Sequence, residues 1–173
     1  MSPRLRASGF TLLELMVVLL IIGVMTSFAV LSIGNRTLSD RQDNEAARLQ
    51  ELFRLAQDEA LFKRVEIGFF TDEQRYGFLT PDGEGGWQPY TKSGPLRVRP
   101  FSEPFRGVLF VEGQAVAPPD PEEPEPAVLI LSSGEVTPFR LEIRAPEGLE
   151  PAIIRGDALG RLERGAAGAG AGS

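Results

Sequence analysis

Hydroxyl and carboxyl side chains that could take part in catalysis stand together between residues 132 and 137. Ser132, Ser133 and Thr137 flank Glu135. A hydroxyl attacks as a nucleophile only when a neighbouring base takes its proton, and the commonest such base is His. The chain of 173 residues has no His, and neither of its lysines lies near this group. This stretch therefore indicates a turn followed by a strand.

Other side chains with catalytic or metal-binding potential do not form a working set. Asp72 and Glu73 are adjacent, as are Glu122 and Glu123, whereas a general acid and its partner stand apart across a substrate. There is no Cys for a thiol nucleophile, a disulfide or a zinc site. We therefore predict that the chain is not an enzyme and that it holds no cofactor and no metal ion.

The overall charge argues against nucleic acid as a partner. The net charge is −6, and no cluster of basic residues offers a surface for phosphate groups. A hydrophobic content of 42% is enough for one compact domain, although the first thirty-odd residues hold much of it. The composition predicts one domain with an N-terminal anchor.

A single carboxylate interrupts the apolar run of that anchor. From Leu12 to Leu31 the chain has twenty residues with Glu14 as the only charge. A helix of this length covers the ~30 Å of a bilayer core. Because Arg4 and Arg6 precede the run, we expect the N-terminus in the cytoplasm and the following domain in the periplasm of a bacterium, after a single pass through the inner membrane.

Two simpler interpretations leave Glu14 unexplained. Ser27 and Ala29 suit signal-peptide cleavage, but the apolar run exceeds the 7–15 residues typical of a signal-peptide core. In a simple uncleaved anchor, Glu14 would cost ~2.5 kcal/mol or more in lipid, and nothing would explain its presence. Such a residue usually faces a protein partner.

Residues 9–14, GFTLLE, resemble the processing and methylation motif of type IV pilins and type II secretion pseudopilins. The resemblance implies that a prepilin peptidase cuts between Gly9 and Phe10 and that Phe10 is N-methylated. Glu14 then becomes the fifth residue of the mature chain, where family members are thought to pair it with the methylated amine of a neighbouring subunit. A buried pair offsets much of the desolvation cost that an isolated charge carries.

A second helical pattern follows the apolar run. Apolar residues recur at spacings of three and four and predict one buried face: Ala46, Leu49, Leu52, Phe53, Ala56 and Ala60. Charged residues at similar spacings predict a solvated face with weak ion pairs: Glu45, Arg48, Glu51, Arg54 and Asp58. The two patterns together predict one long N-terminal helix.

From Val65 the pattern changes to short segments rich in branched and aromatic residues, separated by Gly, Pro and Asp. Turns are predicted at 82–86 and at 133–135. We therefore predict an α+β fold, in which a long N-terminal helix, its first half transmembrane, packs against antiparallel β-sheet. Pilins and pseudopilins share this architecture.

Two segments have unusual compositions. Residues 117–126, APPDPEEPEP, combine prolines with acids and predict a solvated loop, because prolines cannot supply strand donors. Calcium binding is a poorer interpretation, since this run lacks the turn that gathers ligands around the ion. The Gly- and Ala-rich C-terminus predicts a disordered tail.

Within the family, the segments DEALFKRVEIG and SSGEVTPFRL and the single Trp87 resemble minor pseudopilins of the H type. The predicted division is a leader at 1–9, a transmembrane and assembly helix at 10–33, its amphipathic continuation at 34–64, a periplasmic β-rich domain at 65–163 and a tail at 164–173. The alternatives are a minor pilin of a type IV pilus and an anchored periplasmic binding or enzymatic domain.

The resemblance implies a structural subunit near the tip of the type II secretion pseudopilus that helps to export folded proteins across the outer membrane. It implies as partners the major and minor pseudopilins, the prepilin peptidase and the inner-membrane assembly platform. The outer-membrane channel and the exported protein are further candidate partners.

Overall fold

The computed structural model describes residues 12–120, 123–146 and 148–166, and it leaves out the side chains of residues 26–36 and 166. The chain divides into two units, and the boundary between them lies after Leu38. The predicted leader and residues 167–173 of the predicted tail lie outside the described residues.

The first element is a helix, α1, which runs without interruption over Leu12–Lys63. No Pro stands in this range, and the segment after Gly34 contains no Gly either. The helix ends where Arg64 adopts a left-handed conformation with a φ of 54°. The amide of Val65 then donates to the carbonyl of Ala60 at 3.2 Å, which closes the last turn. The prediction of one long N-terminal helix is confirmed.

Ten strands follow among the described residues, and they form two five-stranded sheets. The first sheet contains β1 (Ile67–Thr71), β2 (Arg75–Pro81), β3 (Trp87–Pro89), β4 (Arg99–Pro100) and β7 (Val128–Ile130). The second sheet contains β5 (Arg106–Val111), β6 (Gln114–Ala115), β8 (Phe139–Arg144), β9 (Ala152–Gly156) and β10 (Leu162–Ala166).

Every strand pairing is antiparallel, as predicted. The order in the first sheet is β3-β2-β1-β7, with β4 also on β2, and the order in the second is β10-β9-β8-β5-β6. Both predicted turns are present. Asp82 closes the first by accepting the amides of Glu84 and Gly86, and Gly134, with a φ of 93°, lies in the second.

The core lies between the domain part of α1 and both sheets. All six residues of the predicted apolar face are buried. Phe53 stands at the centre, because its ring lies 4.6 Å from that of Phe69 in the first sheet and 4.7 Å from that of Phe139 in the second. Aromatic contacts of this kind add stability beyond the apolar area that they bury. One helical side chain thus joins the two sheets.

Three glutamines of α1 donate hydrogen bonds to backbone carbonyls of the second sheet and its connecting loops. Gln42 donates to the carbonyls of Ile143 at 2.6 Å and Glu150 at 3.2 Å. Gln50 donates to the carbonyl of Leu162 at 3.0 Å, and Gln57 to that of Gly160 at 2.7 Å. These bonds satisfy carbonyls at the ends of strands, which would otherwise lose their partners on burial.

Two details differ from the sequence-based expectations. Strand β10 continues to Ala166, three residues into the segment predicted as tail, because residues 164–166 pair with β9. Glu45 was expected on the solvated helix face but is only 4% exposed. It lies at the border of the apolar face, where Ser102 donates to its carboxylate at 2.8 Å.

Candidate assembly site

Glu14 lies in the first turn of α1, and its side chain is exposed. Gly9 and Phe10, the predicted cleavage and methylation site, lie outside the described residues. Gly9, Phe10 and Glu14 are the three motif residues with a predicted function. Of these, Glu14 lies within the described residues.

The helix around Glu14 carries a sleeve of exposed apolar side chains. Large aliphatic residues from Leu12 to Met25 are between 43% and 77% exposed. Because a helix turns 100° per residue, a nearly continuous apolar run covers all of its sides. A helix that is apolar all round is expected in an apolar environment, either lipid or the interior of a larger assembly.

The carboxylate of Glu14 therefore projects from an apolar surface. Val17 and Val18 follow it on the same side of the helix, one turn on, and both are exposed. If this surface is covered by other helices, the carboxylate needs a cation within reach, because an unpaired buried charge carries a large desolvation cost. Such a residue allows only those helix registers that bring a cation to it.

No helix in the part of the chain that the structure describes is both long enough and apolar enough to cross a membrane.

A buried polar cluster that the sequence did not predict joins α1 to the first sheet. Glu45 accepts from Ser102 and, at 3.4 Å, from Arg48. Tyr76 on β2 has no exposed surface, and its hydroxyl has no hydrogen-bond partner among the described residues. Burial, and then the negative charge of Glu45, raise the pKa of Tyr76 to about 12. Tyr76 therefore stays neutral, and the cluster is a structural contact rather than an acid–base pair.

A second polar group closes the C-terminal end of α1. Lys63 donates to the Tyr90 hydroxyl at 2.9 Å, and that hydroxyl donates to Glu59 at 2.6 Å. The hydrogen bond that Lys63 donates to Glu59, with a further one to Tyr90, raises the pKa of Lys63 above its usual value. A lysine held in its charged form is neither a base nor a nucleophile. Within the described residues, no three acidic side chains are grouped to hold a metal ion.

Comparison with known proteins gives two family matches that together span most of the chain. A family model described as "Prokaryotic N-terminal methylation motif" matches residues 4–30. A second model, described as "Type II transport protein GspH", matches residues 45–160. The first covers the apolar sleeve with the predicted cleavage site, and the second covers most of both sheets.

Individual relatives agree with these matches. "Type II secretion system protein H" of Pseudomonas aeruginosa is 38% identical over 157 residues, which cover 83% of this chain and 88% of the relative. The protein of the same name from Klebsiella pneumoniae is 32% identical over 163 residues, with 84% and 91% covered. The two alignments cover most of this chain and nearly the whole length of each relative.

A solved structure shows the same fold. The minor pseudopilin EpsH from the type 2 secretion system of Vibrio cholerae superposes with a TM-score of 0.63 at 26% identity, covering 75% of this chain and 99% of that one. The pilin-like fold and the family resemblance that the sequence predicted are therefore confirmed. Since the GspH model matches more than half of the residues and a relative exceeds 30% identity over most of the length, the chain belongs to the GspH family of type II transport proteins.

Proposed function

We propose that the chain is a minor pseudopilin, a structural subunit of the type II secretion pseudopilus that assembles near its tip and helps to export folded proteins. The observation that carries this proposal is the apolar sleeve of α1 with Glu14 in its first turn. The sleeve belongs to α1, the helix whose later turns contribute to the core of the domain.

Processing precedes assembly in this proposal. A prepilin peptidase removes residues 1–9 and methylates Phe10, and Glu14 becomes the fifth residue of the mature chain. Before assembly, residues 12–31 anchor the chain in the inner membrane with the domain in the periplasm. The match of residues 4–30 to the methylation motif and the exposed apolar side chains of Leu12–Met25 support this order of events.

The subunit acts by binding and not by catalysis. Its candidate nucleophiles have neither His nor Lys beside them to act as a base. The proposed partners are the major and minor pseudopilins, which engage the apolar sleeve, together with the prepilin peptidase and the inner-membrane assembly platform. The domain is the part that remains available to the outer-membrane channel or to the exported protein.

Deletion of the gene tests the proposal. We expect secreted proteins to accumulate in the periplasm, since translocation stops at the outer membrane, while surface pili and motility stay unchanged. The wild-type gene supplied in trans should restore secretion. Loss of surface pili with normal secretion would instead identify a type IV pilus subunit and contradict the proposal.

A further inference from the structure

The acidic proline-rich segment, residues 117–126, alternates between two environments where the structure describes it. Three of its prolines are half-buried, whereas three of its acids are exposed. The prolines are Pro119, Pro124 and Pro126, and the acids are Asp120, Glu123 and Glu125. The solvated loop that the sequence predicts describes these acids but not these prolines.

The first sheet has an apolar outer face that is not exposed to solvent. Phe69 and Phe78 stand opposite each other and face α1, since their rings lie 4.6 Å and 5.6 Å from that of Phe53. Successive residues of a strand point to opposite faces, so Phe70 and Leu79 point away from the helix. Yet Phe70 is only 6% exposed, and Leu79 has no exposed surface. Another part of the chain therefore covers this face.

The half-buried prolines supply part of that covering, and we call them the proline cover. A Cβ atom added to Gly68 would lie 2.3 Å from Cβ of Pro126 and 3.3 Å from the ring of Trp87, so the contact requires a glycine. A cavity of about 140 Å³ lies between the sheet and the other two prolines. Its lining residues include Phe70, Leu79, Pro119 and Pro124. The proline cover thus packs on the outer face of the sheet.

We propose that the proline cover keeps the outer face of the first sheet from binding a second copy of this chain. Without the cover, Phe70, Leu79 and Trp87 would share one exposed apolar surface, and such surfaces lead to association. Two copies related by a two-fold axis bury the same patch of each chain, so an uncovered face needs no other partner. The proposal concerns the domain alone and does not depend on the proposed function.

The exposed acids act in the same direction as the cover. Asp120, Glu123 and Glu125 are repeated on each copy, and like charges repel when two such faces approach. The net charge of −6 adds to this repulsion. Prolines also lack the amide that an added strand would need. The segment therefore has an apolar side that covers the sheet and a charged side that faces solvent.

Trp87 is the only tryptophan of the chain, so its fluorescence reports on the cover. The test compares the mature full-length chain in detergent with the double variant Pro124→Ser/Pro126→Ser and with Pro118→Ser, a control at an exposed proline of the same segment. In the double variant, we expect acrylamide to quench Trp87 at least about twofold more strongly, because the cover opens. Sedimentation should show self-association at a concentration at least about tenfold lower than in the wild type. The control should match the wild type in both measurements.

Gly68→Ala is a second variant, and it leaves every proline in place. Its added Cβ collides with Pro126, so the quenching of Trp87 should rise here too. Amide exchange in β8 and β9 should stay slow in both variants, since the second sheet does not touch the cover. Wild-type quenching in the double variant and in Gly68→Ala would overturn the cover. An exposed Trp87 in a chain that self-associates no more than the wild type would overturn the role against self-association.

Discussion

At the scale of single residues, Glu14 is the side chain whose setting most needs an explanation. It is an exposed acid on an otherwise apolar helical surface. In lipid it is a cost, whereas in the proposed assembly it limits the helix registers to those that supply a cation.

Replacement of this acid tests that role. In Glu14→Ala, we expect the chain to remain in the membrane fraction, since the substitution makes the sleeve more apolar. Incorporation into the pseudopilus should fall, because a loss of ~1.4 kcal/mol at a contact lowers association about tenfold. Crosslinking to the major pseudopilin measures incorporation, and Leu15→Ala is the matched control. Equal crosslinking in Glu14→Ala and wild type would rule out the registration role.

Tyr76 gives a second prediction at this scale. The unfolded chain releases the tyrosine proton near pH 10, whereas in the folded protein the pKa of Tyr76 is raised to about 12. Between these values the folded state binds more protons than the unfolded state, so stability falls as pH rises. The contribution is fully present below pH 10 and is lost as the pH passes 12.

Urea unfolding at about pH 9 and about pH 11.5 measures this loss. The wild type should lose up to ~2 kcal/mol more than Tyr76→Phe over the interval, because the variant has no proton to release. The variant shares every other titrating group, so the difference isolates Tyr76. Identical losses in the two proteins would show that the hydroxyl titrates as it does in the unfolded chain.

At the scale of elements, the helix and the sheets are held together by apolar packing and by a small number of polar contacts. Phe53 contacts both sheets, and Gln42, Gln50 and Gln57 tie the second sheet to the helix. Apolar packing is non-directional, whereas each glutamine bond fixes one carbonyl to one helical position. The glutamines therefore fix the register of the helix on the sheet.

Gln42→Met keeps the size of the side chain and removes its donor. Because Gln42 is 2% exposed, the carbonyls of Ile143 and Glu150 lose a partner that water cannot easily replace. We expect a loss of ~1–2 kcal/mol in the free energy of unfolding. Gln88→Met, at an exposed position of β3, should leave that free energy nearly unchanged and serves as the control. A Gln42 variant as stable as the Gln88 variant would contradict the assigned role.

The elements also show what sequence patterns can and cannot predict. The buried face of α1 follows from its spacing of three and four. The predicted turns follow from the side chain of Asp82, which accepts the turn amides, and from Gly134, whose positive φ the turn requires. Glu45 follows the same spacing as its exposed neighbours, yet it is buried because Ser102, 57 residues away, covers it. A local pattern carries no information about such distant donors.

Strand β10 and the pairing of side chains across the second sheet escaped prediction for a related reason. The sequence LERGA has little of the branched and aromatic character of a strand, and it pairs because β9 offers a free edge. The outward row of Phe110, Arg140 and Arg155 exists only through the registers of three strands. Registers depend on tertiary pairing and cannot be read from one segment alone.

At the scale of the whole molecule, the proposed function assigns assembly to the helix and recognition to the domain. The apolar sleeve of residues 12–25 suits repeated contacts between equivalent helices. In the proposed function, assembly begins from the new N-terminus that removal of the leader creates.

The intact mass of the protein extracted from membranes tests this account most directly. We expect a chain that begins at Phe10, lacks residues 1–9 and carries one added methyl group, since the motif GFTLLE specifies both reactions. A strain without its prepilin peptidase should yield the unprocessed chain as a control. A mature protein that begins at Met1 or after Ala29 would contradict the account, because the chain would then be a simple anchored or secreted protein in which Glu14 has no role in assembly.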